Sequence, residues 1–287
     1  MSRVAKKPYW EYLDEYIFTP AGMHSIRINT EKDIVPNKAK GYIPSKEGYQ
    51  HASYVAPITN TTADGSMLLS LEDLLAWNST VKNKMILKRK SWNLILSPMK
   101  LNSGNNYPYG FGWFIEKKNE KTVHQHGGTW QGFTTQIFRF IEDELEVMLL
   151  TNARSIGAYE LPRKIAALIN PSLKAQSLPT KPIVDEMPEI TKLIREKLIN
   201  ISNGKLELDD FSFIRQTVFP RIKKALISQI EGFDPPSRME LLSKEIVGDD
   251  IALQYWVWYD DIRYRLMVSI GPNKGFSSMR LIADRSQ

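Results

Sequence analysis

The side chains of this chain best placed to do chemistry cluster in VHQHGGTWQGF, residues 123–133. His124 and His126 stand two apart, and on a strand that spacing sends both to one face. Two imidazoles on one face could ligate a metal. The remaining ligands would have to come from His24, His51 or carboxylates without motif spacing, so no metal site and no other cofactor is expected. A purely structural reading makes the stretch a strand end whose histidines are satisfied by local hydrogen bonds. A chemical reading starts from Gly127 and Gly128. Two missing side chains let a substrate backbone or acyl group come close and leave main-chain N–H groups free to point into a cleft. Such donors are what an oxyanion hole requires.

These residues need a sheet to hold them, and the surrounding pattern supplies one. YGFGWFIEKK, KTVHQHG, FTTQIFRFIED and LEVMLLTNA read as four consecutive strands of an antiparallel meander, joined by short polar turns. A helix over about 158–169 follows, with Leu161, Ile165 and Leu168 as the stripe expected to pack on the sheet. Upstream, Pro8–Tyr16 reads as an amphipathic helix broken by TPAGM. Residues 24–66 form a loop too long to be mere connection. Ser70 and Asp73 make a capping box opening the helix LEDLLAWNSTVKNKM, and a second short helix covers Lys88–Leu96.

Four prolines at 171, 179, 182 and 188 mark a semi-rigid linker. Beyond it come helices near 189–202 and 218–231, then four strands with hairpin signals at Asp260-Asp261 and GPNKG. The expected class is α/β of the α+β type. It comprises a sheet with covering helices over residues 1–170, a linker over 171–188, and a small α+β domain with a curled antiparallel sheet over 189–287.

The order of these motifs resembles the serine β-lactamase, DD-peptidase and esterase superfamily, closest to its class C-like branch. The likeness lies in a GYGFGWFI-like strand, an HxG strand, a WxGF turn and a strand ending in LLTN; YWEYLDEYIFTPAGM and ADGSMLLSLEDLLAW also match family elements. It covers about residues 8–170, and the tail is similar to an accessory domain of some of these hydrolases. The resemblance implies a partial β-lactamase-like fold. His126-Gly127-Gly128 stands where the family has Lys-Thr-Gly or His-x-Gly. His126 is then a polar head facing the cleft, assisting substrate binding or proton relay, and Gly128 keeps that strand open. The Thr129 N–H is one oxyanion donor, Gly127 borders the substrate, and Trp130 lines the cleft or packs under the turn. The implied substrate is a small molecule or peptide with an amide or ester: a β-lactam, a D-amino-acid peptide or a small ester.

The family nucleophile is the serine of an S-x-x-K motif, partnered by a Y-x-N motif, and both belong upstream of the helix with which these residues begin. Y-x-N is absent. S-x-x-K occurs at Ser79, Ser97 and Ser202, but 22 serines and 24 lysines in 287 residues give about two such hits by chance. Ser79 sits inside a helix, Ser97 precedes a proline and Ser202 lies in the tail, so the nucleophile is unassigned, with Ser79 the nearest candidate. Alone, the chain is expected to be inactive. The missing half would expose a sheet edge and an apolar face, so a homo-oligomer or a separate N-terminal half is expected as partner. The competing reading is a non-catalytic ligand- or protein-binding module, motivated by Tyr255, Trp256, Trp258 and Tyr259. Alternation divides these aromatics between two faces, and plain packing is the expectation for them.

Composition bounds the rest. A net charge of +6, with no block of like charges, does not point to nucleic acid. No apolar run reaches the roughly 18 residues of a membrane span. The opening residues lack the apolar core of a signal peptide, and export is implied only through the family. The absence of cysteine excludes disulfides and thiol catalysis.

Overall fold

Two units make up the structure, a computed structural model that describes residues 1–30, 34–53, 65, 67–118, 120–154, 157–175 and 177–284. The first takes in residues 1–99 and 108–176, the second 100–107 and 177–287. Both are mixed α+β with antiparallel sheets.

In the first unit the meander forms as its alternation dictates. Strands β1 (Phe114–Lys118), β2 (Lys121–Trp130), β3 (Phe133–Phe140) and β4 (Leu145–Thr151) lie in the order β4-β3-β2-β1, all antiparallel. Val123, Phe138, Phe140 and Val147 share one face and pack with Ala166 and Ile165 of the helix Leu161–Ile169. The expected stripe is out of phase. Leu161 and Leu168 are exposed, and Pro162 and Ala166 are buried instead. The small Ala166, fully covered, lets the helix approach closely, while the Arg163 guanidinium lies over the rings of Phe138 and Phe140.

The other face of the sheet buries Trp113, Ile115 and Ile137 against Val81 of α1 (Leu71–Lys82) and Trp92 of α2 (Arg89–Ile95). Helix α1 ends three residues before Met85, because Lys84 and Ile86 adopt positive φ and turn the chain away. At the N-terminus the helical run does not stop at Tyr16. It continues through Ala21, widening to π geometry over Asp14–Phe18 just before Pro20, which has no N–H to donate into an α-turn. Gly22, at φ 73°, closes it. Part of the long loop is ordered too. Arg27–Ile28 pairs with Met67–Leu68, and Tyr42–Ser45 with Gly48–His51. Residues 31–33, 54–64 and 66 of that loop lie outside the described residues.

The capping box at the start of α1 is formed, and it reaches further than its motif. Ser70 Oγ accepts from the Asp73 N–H (3.2 Å), and Asp73 Oδ2 accepts from the Ser70 N–H (3.1 Å). Asp73 also accepts from the Ser25 N–H (3.1 Å) and hydroxyl, tying the chain after Met23 to the helix. Burial would raise this carboxyl, but these hydrogen bonds outweigh it and hold the group below its ordinary value of 3.8. Asp73→Ala is therefore expected to cost about 2 kcal/mol at neutral pH by urea denaturation. Because the folded-state value is the lower one, the Asp73 contribution is complete above about pH 4 and disappears only as pH falls below it.

In the second unit, strands β5 (Arg238–Val247), β6 (Asp250–Tyr259), β7 (Ile262–Ile270) and β8 (Phe276–Ala283) form a meander in that order. One face packs on α3 (Pro188–Ser202) and α4 (Phe219–Ile230) through Ile194, Leu198, Ile230, Tyr255, Val257 and Tyr259. Trp256 and Trp258 take the opposite face, as alternation requires.

Candidate active site

The geometry of the site follows from β2. His126 pairs with Ile137 and Gly128 with Thr135 across to β3, on the face that carries Ile115 and Trp113. Main-chain direction can be read from one bond. The Ile141 N–H donates to Thr122 O (3.0 Å), so even-numbered residues of β2 aim their main-chain groups at β3 and odd-numbered ones away from it. Strand β1 ends opposite Gln125. Gly127 and Thr129 therefore direct their N–H groups past the end of β1, along an edge that no strand of this sheet covers among the described residues.

His126 is held by neighbours that the sequence reading did not assign. Its Nε2 lies 3.0 Å from the Tyr109 hydroxyl, and its ring stacks on Phe114 at 5.7 Å between centroids. Tyr109 reaches it because the expected strand from residue 109 is interrupted. Gly110 runs so close to α2 that a Cβ there would sit 2.2 Å from Ile95 O, and Gly112 has φ 84°. The chain loops back, and only Phe114 onward joins the sheet. The two glycines of YGFG were the signal that could have found this turn.

The two glycines after His126 have different surroundings. A Cβ on Gly127 would lie 2.3 Å from the Gln136 amide, a side chain that is itself buried, so Gly127 makes room for Gln136. Among the described residues a Cβ on Gly128 would meet only Thr135 Oγ1, at 3.8 Å, so none of them covers the face beside His126 there. The Thr129 hydroxyl lies 2.8 Å from that of Tyr159. Trp130 is 42% exposed and rests part of its ring on Gly65, where a Cβ would come within 2.9 Å of the indole.

His124 lies on the same face as His126 in a different environment. It is buried against Trp113 and the Arg139 guanidinium, its Nδ1 has no partner, and burial with that neighbouring charge lowers its pKa to about 4. Among the described residues no group of three metal-ligating side chains occurs, and the His51 ring stacks on Tyr42. The three S-x-x-K serines are all engaged locally. Ser79 is exposed and accepts from Asn83 Nδ2 (3.2 Å), while Lys82 Nζ lies 3.9 Å from Glu144. Ser97 and Ser202 donate to the carbonyls of Asn93 and Ile199.

Residues 1–169 match the family model described as Beta-lactamase. The chain is 26% identical over 164 residues to Penicillin-binding protein 4* of Bacillus subtilis, a match covering 53% of this chain and 36% of that protein. It is 25% identical over 165 residues to a D-aminopeptidase of Gluconobacter oxydans, covering 57% of this chain and 31% of that one. The chain thus spans about a third of the length of these relatives. Among solved structures, the penicillin binding protein from Bacillus halodurans superposes with a TM-score of 0.51 at 22% identity, covering 58% of this chain and 51% of its own. The octameric penicillin-binding protein homologue from Pyrococcus abyssi gives 0.52 at 17% identity, covering 99% of this chain and 60% of its own. With the family model covering more than half of its residues, the chain belongs to the beta-lactamase family.

Proposed function

We propose that this chain is the C-terminal part of a β-lactamase-related serine hydrolase acting on an amide or ester: a β-lactam, a D-amino-acid peptide or a small ester. One observation carries the reading. On β2 an imidazole held by the Tyr109 hydroxyl, an open face over Gly128 and an edge-directed Thr129 N–H meet within four residues. An acyl carbonyl laid along that edge would receive the Thr129 N–H as negative charge develops on its oxygen. His126 would bind the substrate or relay a proton, with Tyr109 fixing its ring. The relatives named as penicillin-binding protein and D-aminopeptidase support a β-lactam or a D-amino-acid peptide among these substrates.

In this reading the serine, its base and the second oxyanion donor come from an N-terminal portion outside these residues, and the chain alone turns nothing over. β4 is the outermost strand of its sheet, with Leu150 exposed, and is where a further strand would add. That strand would come from a separate N-terminal half or from a second copy, and the octameric Pyrococcus abyssi homologue supports association of copies. Incubation with a fluorophosphonate or penicillin probe and peptide mass spectrometry is expected to leave every serine of the chain unmodified. Acylation of Ser79 would overturn the reading in favour of a self-contained site. If a restored N-terminal half binds but is not acylated either, the module is a binding one.

A further inference from the structure

The outer face of the second sheet carries cations and indoles in alternating rows. Arg238, Trp258 and Arg263 are register partners across β5, β6 and β7, and Glu240, Trp256, Arg265 and Ile282 form the next row. The guanidiniums of Arg263 and Arg265 lie 4.3 and 4.2 Å from the centre of the Trp256 ring. Beside them is a cleft of about 330 Å³, walled on its apolar side by Leu178, Ile282 and Ala283.

The charges in this cleft do not balance. Its one carboxylate among the described residues, Asp284, accepts from Arg263 through Nε (2.9 Å) and Nη2 (2.6 Å). Arg265 is only 8% exposed, yet its Nη1 finds nothing stronger than Pro179 O (2.8 Å) and Gln254 Oε1 (3.2 Å), and no carboxylate among the described residues lies within 4 Å of it. Its Nε and Nη2 donate to nothing among the described residues and are not sealed from solvent. A guanidinium so deeply placed ordinarily has an anion on it. The Nε–Nη2 edge is the fork that takes a carboxylate through two parallel hydrogen bonds. Two guanidiniums against one carboxylate whose charge acts on both leave one net positive charge among the described residues, which calls for a monoanion, and the aliphatic wall calls for a hydrocarbon substituent beside it.

We infer that this cleft is a binding site for a small aliphatic carboxylate, seated on the Nε–Nη2 edge of Arg265 with its hydrocarbon part against Leu178 and Ile282. The carboxylate could belong to a free acid or to the C-terminus of a peptide, and the two are separable by experiment. Isothermal titration of the full chain with pentanoate, N-acetyl-alanyl-alanine and inorganic phosphate is the test. Either carboxylate should saturate one site, and phosphate should bind at least about tenfold more weakly. Pentanoate binding more tightly identifies free acids as the class, and the dipeptide binding more tightly identifies chain termini. Arg265→Lys keeps the charge but removes the fork, and should weaken the preferred carboxylate by about tenfold or more. Arg238→Lys, on the same face but outside the cleft, should leave affinity unchanged. Equal thermal melting of the variants guards against misfolding; should Arg265→Lys melt early, Ile282→Glu, which places a like charge beside the ligand, replaces it with the same expectation. No saturable carboxylate binding, equal binding of phosphate, or unchanged affinity in a folded cleft variant would overturn the inference.

Discussion

Gly132→Ala is expected to destabilise the first unit by about 3 kcal/mol, while Gly128→Ala, four residues earlier on the same hairpin, should cost less than about 1 kcal/mol. Gly132 has φ 84°, where a side chain alone costs roughly 1–2 kcal/mol. A Cβ there would also lie 2.5 Å from Tyr42 N and 2.7 Å from Gly41 C, and both are backbone atoms that cannot rotate aside. The segment cannot retreat easily. The Tyr42 N–H donates to Asn152 O (2.8 Å) and Tyr42 O accepts from the Arg154 N–H (3.0 Å), so the strand over the turn is fixed from its other side. Gly41 is the complementary half of the crossing, since a Cβ on it would sit 1.8 Å from Gln131 O. Gly41→Ala should therefore be as harmful as Gly132→Ala, and the double variant should cost clearly less than the sum, because either change opens the same crossing. Urea denaturation of the four variants beside the unmodified chain measures this. Strict additivity, or a Gly132→Ala cost near that of Gly128→Ala, would refute the account.

The second large effect is a loss of stability in mild acid caused by His124. In the folded state this imidazole is held to about 4 by burial and by Arg139, with Lys117 adding to the effect and Glu142 opposing it, whereas unfolded it takes up its proton near 6.5. The unfolded chain thus binds more protons between those values, and stability falls as pH drops through that window. The group contributes nothing above about pH 6.5, and by pH 4 it has removed roughly 3 kcal/mol. Asp73 acts only below that window. His124→Phe should flatten the curve between pH 6.5 and 4, leaving the carboxylate-driven loss at lower pH. Parallel curves for the two proteins, or an NMR titration placing His124 near 6.5 in the folded state, would contradict the assignment.

Periodicity made most of the fold legible. The two meanders, the helices that cover them and the Ser70–Asp73 box all follow from local patterns whose physical cause is local. What escaped depends on approach between distant segments. Pro20 reads as a helix breaker, yet a wider turn just ahead of it absorbs the missing donor. The stripe Leu161, Ile165, Leu168 has helical spacing, but Pro162 and Ala166 give a closer fit to the sheet. Gly127 reads as space left for a substrate, and the buried Gln136 amide occupies that space from the neighbouring strand. At the candidate site, His126, Gly128 and Thr129 are candidates from motif order alone, whereas their neighbours Tyr109 and Tyr159 left no such signal, since their hydroxyls reach β2 only through turns set by the tertiary fold.

The proline-rich stretch that reads as a linker has a consequence for how this protein could be divided. The carbonyls of Pro179 and Thr180 accept from Arg265 and Trp256 on the outer face of the second sheet, and the Ile183 N–H donates to the Leu241 carbonyl of β5. The natural seam for recombination or limited proteolysis is therefore not the start of the helix at Pro188. A cassette that began there would leave behind the carbonyls that accept from an indole and from one guanidinium nitrogen. A heritable, transferable module would have to begin near Ser177 and carry its own cover with it.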